Sequence, residues 1–301
     1  DHIDKRNAWQ ARSTMYVRLI PPGAADTVHY KVRIPKDAKG PISFTAKLNH
    51  RKFSHFYTQF AYEQFKDKTP DLPIVVIAQA NAKLNVANAP SEWKPVVNKQ
   101  SRERWNDWGI GMLLQGDLKG AEYAFRRVTE AEPEYADGWI NVARALIQEG
   151  ETDAAKPFLT KALTLAPELA RAHFFNAMVQ KADGDYDGAL KSLDKVVAQY
   201  PRDRVAQNQI ARIHFLKRAY RASIDAAKRV LSVDPEDVQA HYTLMLAYRG
   251  IGDTAKAERE QRLFQRFKAD EAAQAITQKP RLLKPEDNNE RQMIHDHESS
   301  L

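Results

Sequence analysis

The sequence of 301 residues contains no cysteine. This absence excludes disulfides, thiolate metal sites, cysteine nucleophiles and covalent haem attachment through a C-x-x-C-H motif within the chain. The sequence also lacks any run of about 18 apolar residues, so we expect no membrane-spanning helix. With 43% hydrophobic and 28% charged residues, the composition is that of an ordinary globular protein, and the length suggests about two domains.

Catalytic signatures are lacking as well. The sequence contains no glycine-rich phosphate loop and no serine in a G-x-S-x-G elbow. The stretch RGIGDTAKA resembles a phosphate loop only in its glycine count. These absences favour a binding protein over an enzyme.

The chain begins DHIDKRNAWQ, with neither an initiator Met nor a basic-then-apolar signal pattern. We therefore expect either a processed product or a piece of a longer protein.

Positive charge is concentrated at the start of the chain. Residues 1–100 hold 16 Lys and Arg against 8 Asp and Glu, whereas residues 101–301 are almost balanced. This excess indicates either a solvated strand face or a docking face for an acidic partner, such as a protein, haem propionates or a phosphate surface. Nucleic acid is not expected, because no motif of stacking aromatics accompanies the charges.

Prolines recur at a constant step in the second part of the chain. They are Pro133, Pro167, Pro201 and Pro235. The same step relates a series of large polar or aromatic residues, which are Trp105, Trp139, His173, Gln207 and His241. A period near 34 with pairs of helices is typical of tetratricopeptide repeats. The stretch WNDWGIGMLLQGDLKGAEYAFRRVTEAEP carries the Trp, Gly, Ala, Phe and Pro of that motif, and residues 102–270 resemble this family closely.

The repeats predict five helix pairs between about residues 102 and 267. Helix breaks are expected at Gly116, Gly150, Gly184 and Gly252, because glycine accepts the left-handed conformation at a helix C-terminus. Small residues such as Gly109 and Ala143 are expected where the first helix (A) of a repeat approaches the second (B). An acidic residue after each glycine favours the positive end of the next helix.

Repeat four departs from the pattern. It has Arg218 where glycine is usual, so we expect a less regular turn, and Ser223 where alanine is usual. His173 and His241 fill the aromatic position of helix A and are interpreted as packed histidines rather than ligands. Residues 266–279 are expected to form a capping helix.

Arrays of this family form a concave groove lined by positions 2, 5, 9 and 12 of each repeat, and the resemblance implies a partner-binding surface there. Asparagines and arginines at these positions could hold a carboxylate or an extended peptide backbone. A solvated face of salt bridges is the alternative. The chaperone-binding branch of the family also uses paired lysines, which this chain lacks. The candidate groove residues are Asn106, Asn141, Arg144, Arg171, Phe174, Asn208, Arg212, Tyr242 and Arg249.

The first hundred residues predict strands. TVHYKVRI and PISFTAKL alternate in polarity, with PKDAKG between them, and we interpret them as a β-hairpin. Ile42, Phe44, Ala46 and Leu48 should face inward. STMYVRLI and LPIVVIAQ predict two further strands, so four or five strands are expected. Because an immunoglobulin-type sandwich has about seven, the sandwich should be incomplete, with Val28–Ile34 or Ile42–Leu48 pairing with preceding chain or another subunit.

A second resemblance covers nearly the whole chain. The order IPPGAADTVHYKVRIPKDAKGPISFTAKLNHRKF, LPIVVIAQA, RWNDWGIGMLLQGDLKGAEYAF and PEDNNERQMIHDHES is similar to the haem-free C-terminal part of exported bacterial multihaem cytochromes c that carry tetratricopeptide repeats. The resemblance implies a periplasmic or extracellular setting. It also implies haem c in a preceding part or a partner subunit, with none bound covalently here.

Four histidines are candidates in that context. His50, His55, His295 and His297 could serve as distal axial ligands to a partner's haem iron, or they are surface histidines. His295 and His297 also form a weak zinc pattern, but we predict no metal. The polar tail to which these two histidines belong is expected to be held by the repeat surface or by a partner.

The sequence thus predicts a mainly α protein, an α-solenoid of about five helix pairs after a small β-sandwich-like region. The expected domains are 1–100 (β-rich), 101–279 (solenoid and cap) and 280–301 (extended tail). The leading functional hypothesis is a protein–protein interaction scaffold that belongs to, or docks on, a multihaem cytochrome c electron-transfer assembly. The alternative is a haem-independent peptide-binding adaptor for assembly or secretion.

Overall fold

A computed structural model of the protein describes residues 24–39, 41–53, 55–84, 95–268 and 296–300. The predicted strand STMYVRLI, most of the predicted capping helix and the start of the tail lie outside the described residues. None of the described helices is long and apolar enough to cross a membrane.

Residues 24–84, the β-region, contain three strands and short helices. The strands are β1 (His29–Arg33), β2 (Ile42–His50) and β3 (Val75–Leu84). Helix α1 (His55–Ala61) and a 3-10 helix (Glu63–Lys68) connect β2 to β3. A fourth strand, β4 (Asp296–Ser300), comes from the C-terminal tail.

The hairpin prediction is wrong, because β1 and β2 do not pair with each other. β1 pairs in parallel with β4, from His29 opposite Asp296 to Arg33 opposite Ser300. β2 pairs antiparallel with β3, with Ile42 opposite Leu84 and a bulge after Leu48. β3 offers β2 nine paired positions, whereas the five residues of β1 could offer fewer, so the longer ladder forms. Strands of this chain fill one edge of β1 and one edge of β2. Pairing of the other edge with preceding chain or with another subunit stays a prediction.

The ribbon formed by β2 and β3 has one apolar face. Its cross-strand pairs on that face are Ile42 with Leu84, Phe44 with Ala82, Ala46 with Ala80 and Leu48 with Ala78. The predicted inward set therefore shares a face, but that face is not buried. Leu48 is 57% exposed and Leu84 is 51% exposed. Within the described residues the β-region is two separate two-stranded sheets, which is consistent with an incomplete sandwich.

The C-terminal strand corrects another expectation. The tail was expected to be held by the repeat surface or by a partner, whereas its last described residues lie along β1. Around β1, Val28, Tyr30 and Ile34 are exposed while His29 is partly buried.

Ten helices within residues 95–268 form five antiparallel pairs, as predicted. They are α2 (Arg102–Gln115) with α3 (Leu118–Ala131), α4 (Ala136–Glu149) with α5 (Thr152–Leu165), α6 (Ala170–Ala182) with α7 (Tyr186–Gln199), α8 (Arg204–Leu216) with α9 (Tyr220–Leu231), and α10 (Val238–Gly250) with α11 (Thr254–Phe267). Each pair packs against its neighbours, which gives a solenoid with a continuous core.

The turns between paired helices adopt one conformation. Gly116, Gly150, Gly184 and Gly252 all have φ between 80° and 88°, so the predicted breaks are confirmed. Arg218 takes the same left-handed conformation, with φ of 59°. The turn of repeat four is therefore regular, contrary to expectation, because the arginine backbone accepts the conformation that glycine adopts elsewhere.

Acidic residues cap most of the second helices. The side chains of Asp117, Asp185 and Asp253 each accept a hydrogen bond from the backbone N–H three residues later. Glu151 makes no such bond, because glutamate is longer than the side chains that favour this position.

Close packing explains the small residues. A Cβ on Gly109 would lie 2.5 Å from the ring of Phe125, and Ala143 is fully buried. Ser223 replaces the usual alanine without an unsatisfied hydroxyl, because its Oγ donates to the backbone carbonyl of Ala211 at 2.8 Å.

Two segments before the solenoid contact its first repeat. Gln115 donates from Nε2 to the Asp26 carboxylate at 2.7 Å and to the carbonyl of Thr27. The indole of Trp105 donates to the carbonyl of Val96 at 2.9 Å. The β-region is thereby attached to α2.

Candidate partner-binding groove

The candidate groove residues lie on the first helices of the repeats, α2, α4, α6, α8 and α10. Three of them form one hydrogen-bonded chain across three repeats. Asn141 donates from Nδ2 to Oδ1 of Asn106 at 3.0 Å, and Arg171 donates to Oδ1 of Asn141 at 3.0 Å. Arg171 also pairs with Asp137. Asn141 is buried, so its amide connects the repeats rather than projecting into the groove.

A second network links repeats four and five. Asn208 is buried and donates to the carboxylate of Asp237 at 3.2 Å. Arg204 pairs with Asp237 at 3.1 Å and also with Asp234. Asp237 in turn caps α10 by accepting from the N–H of Ala240 at 2.8 Å. The amide nitrogen of Asn208 is thus engaged within the chain, whereas its buried Oδ1 accepts no hydrogen bond from the described residues.

Three cations of the groove, on α4, α6 and α8, have no carboxylate partner among the described residues. Among the residues that the structure describes, no carboxylate forms an ion pair with Arg144, Lys181 or Arg212. Burial, and after it the charge of Arg171, lowers the pKa of the Arg144 guanidinium. Burial, and after it the charge of Arg212, lowers the pKa of Lys181. Two sites of unbalanced positive charge therefore lie along α4, α6 and α8.

The remaining candidates have neighbours of their own. Tyr242 packs on Phe264, with ring centroids 5.3 Å apart, and Arg249 donates to Gln261 at 2.7 Å. The guanidinium of Arg212 lies 5.4 Å from the centroid of the Phe215 ring. Phe174 contacts Phe175 edge to face. Among the predicted groove arginines, Arg144, Arg212 and Arg249 therefore have no carboxylate partner among the described residues.

Three of the candidate haem-facing histidines are described, and they lie on three different elements. His50 ends β2, and His55 begins α1; both are exposed. His297 lies on β4 opposite Tyr30, and His295 lies outside the described residues. The described segments contain no group of three or more His, Asp or Glu side chains that could hold a metal ion.

Sequence reasoning missed Lys181, Asp137 and Asp237. Lys181 follows Ile147 by one repeat length, so reading the same groove position in every repeat would have found it. Asp137 lies one repeat length before Arg171 and could have been found in the same way. Asp237 carries no comparable signal, because the sequence does not show which cation its carboxylate reaches.

Comparison with known proteins agrees with this architecture. A tetratricopeptide-repeat family model matches residues 112–173 and 146–213. The chain therefore contains tetratricopeptide repeats, and its fold is the solenoid of that class. Repeats of this type imply a protein–protein interaction scaffold, and proteins built from them are typically non-catalytic.

A curated relative and two solved structures resemble parts of the chain. BBSome complex member BBS4 of Bos taurus is 27% identical over 145 residues, 48% of this chain but only 28% of that protein. The match to PilF of Pseudomonas aeruginosa covers 63% of this chain and 87% of the PilF chain, with 16% identity and a TM-score of 0.53. The match to MamA (41-end) of Desulfovibrio magneticus RS-1 covers 56% of this chain and 98% of the MamA chain, with 20% identity and a TM-score of 0.51. At these identities the structural likeness shows the fold alone.

Proposed function

We propose that the protein is an interaction scaffold whose concave groove binds an extended, acidic segment of a partner protein. The observation that carries this proposal is the unbalanced charge of Arg144, Lys181 and Arg212. Cations held close to one another and partly buried gain when a carboxylate approaches, because the attraction is strong where water is partly excluded. An extended peptide can reach all three, since they lie on successive first helices.

The test uses a fluorescein-labelled synthetic peptide of alternating Asp and Ser, with a peptide of alternating Asn and Ser as its neutral counterpart. We expect the acidic peptide to bind, and added salt to weaken binding because it screens the charges. The double variant Arg144→Ala/Arg212→Ala should bind at least about ten-fold more weakly.

The control removes the same charge from the second helices, as Arg221→Ala/Arg259→Ala. Both of these arginines are exposed, on α9 and α11. Equal weakening by the two double variants would mean that net charge, not the groove, attracts the peptide. Binding of the neutral peptide as tightly as the acidic one would contradict the proposal outright.

We propose further that this scaffold belongs to, or docks on, a periplasmic or extracellular multihaem cytochrome c assembly. The sequence resemblance supports this setting, and the uncovered apolar face of the β2–β3 ribbon supports a tight protein partner for the β-region. In that arrangement haem c belongs to the partner or to a preceding part of the protein. The alternative is an adaptor for assembly or secretion without a redox partner.

Purification of the tagged protein from its native host, with a reduced-minus-oxidised spectrum of the product, separates these two roles. Haem c absorbance that co-purifies with the wild type is expected for the cytochrome assembly. Its loss when Leu48 and Leu84 are changed to Lys is expected if the haem belongs to a partner, and its retention if the haem belongs to a preceding part of the protein. Co-purified protein without haem absorbance would favour the adaptor. Cell fractionation tests the proposed compartment independently.

A further inference from the structure

A cavity of about 250 Å³ opens between α6, α7 and α8. Its main walls are Arg171, Phe174, Phe175, Val196, Tyr200 and Val205. Arg171 and Phe174 occupy groove positions of repeat three, and Val205 occupies a groove position of repeat four. The cavity is therefore continuous with the groove.

The two charged side chains of this cavity are already engaged. Arg171 pairs with Asp137 and donates to Asn141. Asp203, which also lines the cavity, accepts from the N–H of Ala206 at 2.9 Å. Apart from the phenol hydroxyl of Tyr200, the surface left for a ligand is therefore hydrocarbon. Tyr200 is 58% exposed and Val205 is 56% exposed. Two apolar side chains facing water beside one apolar cavity favour an apolar occupant.

The other repeats provide an internal comparison. At the position of Tyr200, the other repeats hold Glu132, Ala166, Asp234 and Lys268. At the position of Val205 they hold Glu103, Asp137, Arg171 and Gln239. At the position of Phe175 they hold Asp107, Asn141, Gln209 and Thr243. The repeat fold thus accepts small or polar residues at all three positions. Phe175 packs against the buried core of the solenoid. Tyr200 and Val205 belong to no buried cluster among the described residues, so packing does not account for these two side chains and recognition is left as their role.

The cavity volume restricts what can enter. Pockets for whole small molecules or cofactors span roughly 300–1,000 Å³, so this cavity is too small for a haem. It suits a single aromatic or branched apolar side chain, which would stack against Phe174, Phe175 and Tyr200.

We infer that this cavity is a specificity pocket, which receives an aromatic or branched apolar side chain of the acidic segment bound in the groove. The inference rests on the proposed function. Arg171 joins the two features, because it lines the cavity and lies close enough to Arg144 for their charges to interact. The partner's recognition sequence therefore combines carboxylates with one large apolar residue a short distance along the chain.

The experiment selects peptides from a phage-displayed random library on the full chain. It repeats the selection on the double variant Tyr200→Ala/Val205→Gln, which carries residues found at the same positions of other repeats, so the fold should tolerate it. The control is Ile251→Lys, an exposed apolar position that holds Lys217 in repeat four. Circular dichroism and melting confirm that each variant is folded.

We expect acidic peptides with one aromatic or branched apolar residue from the wild type and from Ile251→Lys. On the pocket variant we expect acidic peptides without that preference. Replacing the apolar residue of a selected peptide by alanine should weaken its binding to the wild type about ten-fold or more, and its binding to the pocket variant little. Acidic peptides without an apolar preference on the wild type, or a preference that persists on the pocket variant, would overturn the pocket while leaving the groove proposal intact. Failure to enrich acidic peptides at all would overturn both.

Discussion

At the scale of single residues, one position of each first helix holds a nitrogen donor. Its occupants are Trp105, Trp139, His173, Gln207 and His241. Trp139 donates from Nε1 to the carbonyl of Pro133 at 2.8 Å, six residues earlier. His173, Gln207 and His241 make the equivalent contacts, at 2.7 Å, 3.5 Å and 3.0 Å. Side chains as different as Trp, His and Gln are interchangeable here because each can present an N–H at a similar distance from the backbone. The two histidines are thereby explained as packed structural residues.

Arg218 gives a prediction at the same scale. A left-handed conformation costs an L-residue roughly 1–2 kcal/mol in the folded state. Replacement by glycine removes this cost, but glycine loses more conformational entropy on folding, which offsets part of the gain. Arg218→Gly should therefore stabilise the protein by about 1 kcal/mol, measured by urea unfolding.

The converse change is its control. Gly150→Arg places arginine in the same conformation in repeat two, where a Cβ would meet nothing within 4 Å. It should destabilise by a similar amount. If both changes shift the midpoint in the same direction, backbone conformation is not the cause.

His214 predicts a pH dependence. Burial first, and then the positive charge of Lys217, lowers the pKa of its imidazole, while Asp194 opposes the effect. The unfolded chain therefore binds this proton more readily than the folded one. The stability that neutral His214 contributes is fully present above its ordinary value near 6.5 and is lost as the pH falls below it.

We expect wild type to lose more stability than His214→Gln between pH 7.5 and 5.5, as measured by urea unfolding at both values. The comparison cancels the titration of groups common to both proteins. Equal losses would show that His214 is not held neutral by its surroundings.

At the scale of elements, close approach decides how the helices pair. Ala143 on α4 is fully buried against neighbouring helices. Ala143→Leu should overpack this contact and cost about 1–3 kcal/mol. Ala154→Leu on the exposed side of α5 is the matched control and should leave the thermal midpoint nearly unchanged. An unchanged midpoint for Ala143→Leu itself would disprove the tight packing.

At the scale of the whole molecule, the repeats and the sheets should respond separately to truncation. The stability of a solenoid is the sum of the stabilities of its repeats and of the contacts between neighbouring repeats. β1, in contrast, pairs with β4, and most of the chain lies between these two strands in sequence. Ending the chain at residue 295 should remove amide protection from His29–Arg33 in hydrogen exchange and leave protection of α4 to α9 unchanged. Loss of protection throughout the solenoid would show that the tail supports the repeats as well.

The sequence alone determined the solenoid, because every signal for it is local or periodic. The prolines, the turn glycines and the small residue of each first helix recur with the repeat, and each acts within a turn or two of the chain. The groove positions followed from the same period. Phe175, Tyr200 and Val205 also differ from the small or polar residues at the same positions of the other repeats, a difference that gains meaning once the cavity is known.

Only the tertiary structure decided the strand partners and the state of the groove charges. Alternation predicts a strand without its neighbour, so β1 and β2 were paired with each other when β4 and β3 are their partners. The chemistry of an arginine likewise does not reveal whether a carboxylate lies within reach. Arg171 has Asp137 and Arg144 has none among the described residues, because ion pairing depends on distances between helices that the sequence pattern does not contain.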